Sequence, residues 1–196
     1  EAGIAHFWEH MAFKGTTKRK AFHIINRLEI IGGELNAYTT KEKIYFYSSV
    51  LRSHYERSFE LLTDITFNSI FPEKEMEKEK GVILEEMAMY KDTPDDLIFD
   101  QFDELIFDGH PLGKNILGTE ESVKAFEQKD FIEFAQRNLA KGQVVFLSVA
   151  NIEFSKVKKL ADKYLSHLVL PDKPKKNRPS YNYKPQIITE QKSISQ

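Results

Sequence analysis

The sequence of 196 residues contains no cysteine. That excludes disulfide bonds and every metal site built on thiolates, and it leaves the redox compartment open. An excess of charge of one sign is also missing. The 28 Lys and Arg nearly balance the 30 Asp and Glu, for a net charge of −2. Nothing in the electrostatics therefore favours nucleic acid or an anionic membrane as a partner. No run of apolar residues is long enough for a transmembrane helix, which needs about 18. No signal peptide and no internal repeat are visible. The first residue is Glu1 rather than methionine, so the natural N-terminus is expected to lie upstream. These absences describe a soluble protein of unassigned compartment, cytoplasmic or periplasmic if the source is bacterial. The length fits one domain with a real core.

What is present concentrates first in His6-Phe7-Trp8-Glu9-His10. The order H-x-x-E-H is the inverse of the common H-E-x-x-H zinc-peptidase motif and is the inverzincin signature. On a helix at about 100° per residue, with His6 at 0°, Glu9 falls near 300° and His10 near 40°. All three side chains leave one face. Two neutral imidazoles four residues apart can share one Zn²⁺, and a carboxylate beside them can handle the proton of an activated water. The plainer alternative is a helix carrying two solvated histidines.

A two-histidine site needs a third protein ligand, and residues 71–90 offer acidic choices. Pro72 suits the first turn of a helix, and Glu73 and Glu75 suit its positive end. Met76, Ile83, Met87 and Tyr90 then share an apolar face, with Leu84 beside it. Glu79 and Glu86 fall inside that face, two turns apart, whereas Glu77, Lys78 and Glu85 point away. Carboxylates on a core-facing surface are costly unless a cation or strong hydrogen bonds meet them. A metal would do so. The alternative is that both reach the rim of a wide stripe and stay wet.

The coarse organisation is α+β. Helices are expected near 3–13, 20–32, 54–69, 73–91, 94–107, 128–139 and 153–168, where apolar residues recur at helical spacing. Strands are expected at 34–40, 43–51 and 143–150, which are rich in β-branched and aromatic residues. Asp108-Gly109-His110-Pro111 marks a loop. Pro171, Pro174, Pro179 and Pro185 among lysines describe an extended linker over 171–185, after a domain of residues 1–170. Residues 186–196 are expected to begin a following strand or segment. His23 and His54 have no carboxylate at metal spacing, His110 precedes Pro111 in a loop and His167 sits near a helix end, where a cation is mildly favoured; all four are read as structural or solvated.

Three segments, GIAHFWEHMAFKGT, GGELNAYTTKEKIYFY and EKEKGVILEEMAMYKDTPDD, resemble the pitrilysin-type zinc peptidases, family M16, which includes mitochondrial processing peptidase and insulin-degrading enzyme. The family's H-x-x-E-H is followed by a ligand glutamate 76 positions after the second histidine, and here that position is Glu86. A further family glutamate seven positions earlier matches Glu79. HPLGKNILGTEESVKAF is similar to the loop after the zinc-ligand helices. The resemblance implies that His6, His10 and Glu86 bind Zn²⁺, that Glu9 is the general base and that Glu79 supports the site. It implies that Asn36 and Ala37 lie on an edge strand that holds the peptide substrate. Trp8 departs from the usual leucine, and Ala150-Asn151 from a more usual Gly-containing pair; neither removes a ligand.

The implied fold is a mixed sheet with helices packed on it, the N-terminal catalytic half of an M16 peptidase without its first strands. The implied partner is a second half, in the same chain or in another subunit. Without it residues 1–196 are expected to be poorly active and to self-associate through unpaired strand edges. A non-catalytic scaffold subunit is the alternative, opposed by the intact His6, Glu9, His10 and Glu86. A zinc lyase of the S-ribosylhomocysteinase type, which has a related fold, needs a cysteine and this chain has none.

Overall fold

The computed structural model describes residues 1–141, 144–168, 185–189 and 191. Helix α1 (Ile4–Ala12) opens the structure, followed by α2 (Ala21–Glu29) and the strands β1 (Glu34–Thr39) and β2 (Ile44–Ser49). Then come α3 (Tyr55–Phe67), α4 (Glu73–Lys91), α5 (Pro94–Ile106), α6 (Glu120–Ala125), α7 (Gln128–Lys141) and α8 (Phe154–Leu165). The α+β class stands. Of the mixed sheet expected, the described residues carry one antiparallel pair, in which Asn36 faces Tyr47 and Ala37 faces Phe46.

Helix α1 is the centre of the arrangement because it packs against β1, β2, α4 and α7 together. Its apolar residues Phe7, Trp8 and Met11 join Met76, Ile83 and Met87 of α4 and Phe131 of α7 in one core cluster. Trp8 meets Phe46, Phe71 and Phe134 edge-on. Its size fills the space behind the histidine face. A second cluster joins Ile24 and Leu28 of α2 to Leu61 and Ile65 of α3, with Leu35 and Phe46 of the strands against it. The sheet is therefore covered on one side, and β1 alternates exposed and half-buried residues along its length.

Two backbone features set the ends of the helices that matter most. Gly3 precedes α1 with φ 92°, a conformation that disfavours side chains, and a Cβ there would meet Leu117 O at 2.5 Å. Phe71 turns the chain into α4 with φ 48°, a left-handed conformation that costs a non-glycine residue about 1 kcal/mol or more. Burial of its ring against Trp8 and Phe131 offsets that cost. Gln128 Nε2 also donates to the carbonyls of Ile70 and Phe71, each at 3.0 Å. The segment between α1 and α2 is tied to α3 by a buried network. Asp64 Oδ2 accepts from Thr16 and from Arg19, whose guanidinium also grips Glu60.

Two expectations need correction, and one helix was missed. The strand expected over 143–150 has no paired partner in residues 144–149. Phe146 and Ser148 face α3, contacting Phe59 and the Tyr55 hydroxyl, while Val145, Leu147 and Val149 are exposed. The run has the composition of a strand, but a strand is completed only by a neighbour to bond with. Helix α6 was not foreseen. Thr119 and Ser122 cap each other reciprocally at its start, the signal of a capping box with serine in place of the usual glutamate or glutamine. The strand expected from 186 is absent in 186–189. The expected linker lies outside the described residues, apart from Pro185. His110 caps a short 3-10 turn at Pro111–Gly113 by accepting from Leu112 N–H, a structural role as read.

Candidate metal centre

His6, Glu9 and His10 lie on α1, and Glu79 and Glu86 lie on the neighbouring α4. The structure brings all five together. His6 Nε2 and His10 Nε2 are 3.2 Å apart. Glu86 Oε2 lies 3.6 Å from the first and 3.7 Å from the second. Among the described residues this trio is the one group of three or more His, Cys, Asp or Glu side chains whose ligand atoms converge closely enough for an ion.

The geometry can be tested against what a metal requires. Two nitrogen ligands at about 2.05 Å from a tetrahedral zinc are about 3.3 Å apart. The point equidistant from the three atoms in their plane lies about 2.0 Å from each, by the three distances just given. The donor set, two imidazoles and a carboxylate, is one that zinc accepts. These residues fit the ion.

Protonation agrees with the geometry. Burial, with the charge of His10 second, lowers the pKa of His6 to about 4, so its ring is neutral and able to ligate at neutral pH. His10 Nδ1 lies 3.0 Å from Glu79 Oε1. A carboxylate can only accept there, so Nδ1 carries the hydrogen and the Nε2 lone pair points at the trio. Burial by itself would raise the Glu79 pKa. Hydrogen bonds from His10 and Lys14 outweigh it and hold the carboxyl low. Lys14 Nζ is 2.7 Å from the other oxygen of Glu79.

Burial pushes Glu86 above its ordinary range, with His10 opposing and Glu9 adding to the rise. A cation at the point where the three ligand atoms meet would oppose that rise. One atom argues the other way. His6 Nδ1 is buried with no hydrogen-bond partner among the described residues, and leaving an N–H there unpaired costs about 1–3 kcal/mol.

Glu9 is on the same face of α1, where its Oε2 accepts from Thr39 Oγ1 at 2.5 Å. Thr39 and Lys14 were not singled out from the sequence. Lys14 follows His10 by four positions, a spacing that could have suggested it; nothing local links Thr39 to Glu9. Asn36 and Ala37 lie on β1, which packs against α1. No other strand borders β1 on its far edge among the described residues, and Ala37 N–H donates to Asn36 Oδ1 at 2.8 Å.

Residues 1–120 match the family Insulinase (Peptidase family M16). Over 169 residues the chain is 43% identical to an "Uncharacterized zinc protease" of Rickettsia felis, an overlap of 86% of this chain and 41% of that protein. A "Probable mitochondrial-processing peptidase subunit beta" of Schizosaccharomyces pombe is 33% identical over 166 residues, 85% of this chain and 36% of that protein. A crystal structure of a protease from Helicobacter pylori shares the fold with a TM-score of 0.79 at 24% identity, over 93% of this chain and 44% of that one. The chain spans about two fifths of the length of these relatives.

Proposed function

The chain belongs to the insulinase family of peptidases, family M16, and from that premise we propose that it carries the catalytic zinc centre of an endopeptidase acting on extended or unfolded peptides. The observation that carries this reading is the triangle of His6 Nε2, His10 Nε2 and Glu86 Oε2. In it, these three side chains would hold one Zn²⁺, which when bound would supply polarisation of the scissile carbonyl and a lowered pKa for the attacking water. Glu9 takes that water's proton and passes it to the leaving amine. Glu79 orients His10 through its Nδ1–H, and Lys14 holds Glu79 in turn. Asn36 and Ala37 receive the peptide, whose main chain adds along the open edge of β1. A second M16-type half, in the same chain or as a partner subunit, closes over the substrate; the greater length of the relatives supports this.

The test is metal analysis with a quenched-peptide assay on the full-length protein. Glu9→Gln is expected to keep zinc and to lose on the order of 10² or more in turnover, as loss of a general base implies. His10→Ala is expected to lose both. Wild-type turnover by Glu9→Gln would contradict the role of Glu9. A wild-type protein that binds zinc and hydrolyses no peptide would point instead to a scaffold subunit.

A further inference from the structure

Thr39 occupies a place that no other residue of β1 shares. Thr40 N–H donates to Lys43 O at 2.8 Å and closes the hairpin turn to β2. In an antiparallel pair, residues alternate between those bonding to the partner strand and those whose N–H and C=O point away. With Thr40 bonding toward β2, Asn36 and Tyr38 also bond toward it, and Leu35, Ala37 and Thr39 direct their main chains to the open edge. The Ala37 N–H is in keeping, since it goes to the Asn36 side chain. The side chains of the same three residues are the half-buried ones, on the side where α1 lies. Thr39 therefore offers its main chain to the open edge and its hydroxyl to Glu9 Oε2, 2.5 Å away.

We infer that Thr39 is a positioning residue that fixes the Glu9 carboxylate relative to a peptide bound along β1. The inference rests on the reading of Glu9 as the base and of the β1 edge as the peptide site. A glutamate carboxylate is set by three side-chain torsions and has several rotamers, and a single hydroxyl donor from a rigid strand selects among them. Because the donor belongs to the residue whose backbone bonds the peptide, the base and the scissile bond share one frame of reference. Misplacement by about 1 Å is enough to cost on the order of 10²-fold in rate.

The experiment uses the full-length, zinc-loaded protein and the variants Thr39→Val, Thr39→Ala and Thr39→Ser. Thr39→Val keeps the shape and β-propensity of the residue and removes the donor. It is expected to lower kcat by about tenfold or more, with KM within about twofold and zinc content unchanged; Thr39→Ala should do the same, and Thr39→Ser should restore the rate. In a Glu9→Gln background, Thr39→Val should cost nothing further. A readout independent of turnover is the ¹³C resonance of the Glu9 carboxyl in metal-free protein, which should move in Thr39→Val and return in Thr39→Ser.

Wild-type kcat in a folded Thr39→Val, with Glu9→Gln inactive, overturns this inference alone. An equal further loss from Thr39→Val in the Glu9→Gln background also overturns it, because Thr39 would then act by another route. An active Glu9→Gln overturns both this inference and the reading beneath it. If Thr39→Val and Thr39→Ala fail to fold, Thr39→Ser is expected to keep the wild-type Glu9 resonance and kcat, and a displaced resonance with unchanged kcat overturns the inference.

Discussion

The two imidazoles of α1 show how far a motif reaches and where it stops. Helical geometry alone put His6, Glu9 and His10 on one face; the apolar face of α4 offered Glu79 and Glu86, and the resemblance to family M16 gave them roles. None of this could give the division of labour within His10, whose Nδ1 meets Glu79 at 3.0 Å while Nε2 faces His6. That depends on a contact across 69 positions, as the Thr39–Glu9 contact depends on one across 30. Side-chain pairing between elements has no local signature. If Glu79 fixes the tautomer of His10, Glu79→Ala should lower zinc affinity by roughly 10- to 100-fold, the usual effect of removing a carboxylate behind a histidine ligand. Competition against a chromophoric chelator measures it. An affinity equal to wild type would show that Glu79 leaves the metal site unaffected.

The elements were legible where periodicity was long and illegible where a neighbour decides. Helix α4 has 19 residues, begins behind Pro72, carries Glu73 and Glu75 in its first turn and buries Met76, Ile83 and Met87. All of that follows from its pattern. The segment 144–149 reads as a strand just as clearly, yet forms no ladder among the described residues, because a ladder is a property of two segments. Helix α6 escaped notice because its six residues are too few for a period to emerge. Helix α4 also contains Gly81, two residues after Glu79. A Cβ there would meet nothing within 4 Å, so the glycine has no steric reason to remain. Gly81→Ala should stabilise the protein by about 0.5–1 kcal/mol through helix propensity and a less flexible unfolded chain. Urea denaturation decides it; a loss of stability would mean that a close approach to α4 is missing from this account.

At the scale of the molecule, the site is held by α1 lying between the hairpin and α4, an arrangement complete within the described residues. On the proposed function, a cleft that excludes water and orients a peptide also needs the second half. The open edge of β1 and the exposed Val145, Leu147 and Val149 are surfaces that proteins ordinarily cover. We therefore expect residues 1–196 alone to bind zinc, to self-associate in a sedimentation experiment and to turn over peptides at least about 10²-fold more slowly than the full-length protein. A monomeric fragment with full-length turnover would contradict this. The claim beneath all the others is that His6, His10 and Glu86 hold one zinc ion. Its most direct test is elemental analysis of the full-length protein together with zinc-edge X-ray absorption. The account predicts one zinc per chain, with two imidazole nitrogens and oxygen ligands at about 2.0–2.2 Å, and loss of the metal in His6→Ala, His10→Ala and Glu86→Ala. Absence of stoichiometric zinc, or zinc retained undiminished in those variants, would contradict it.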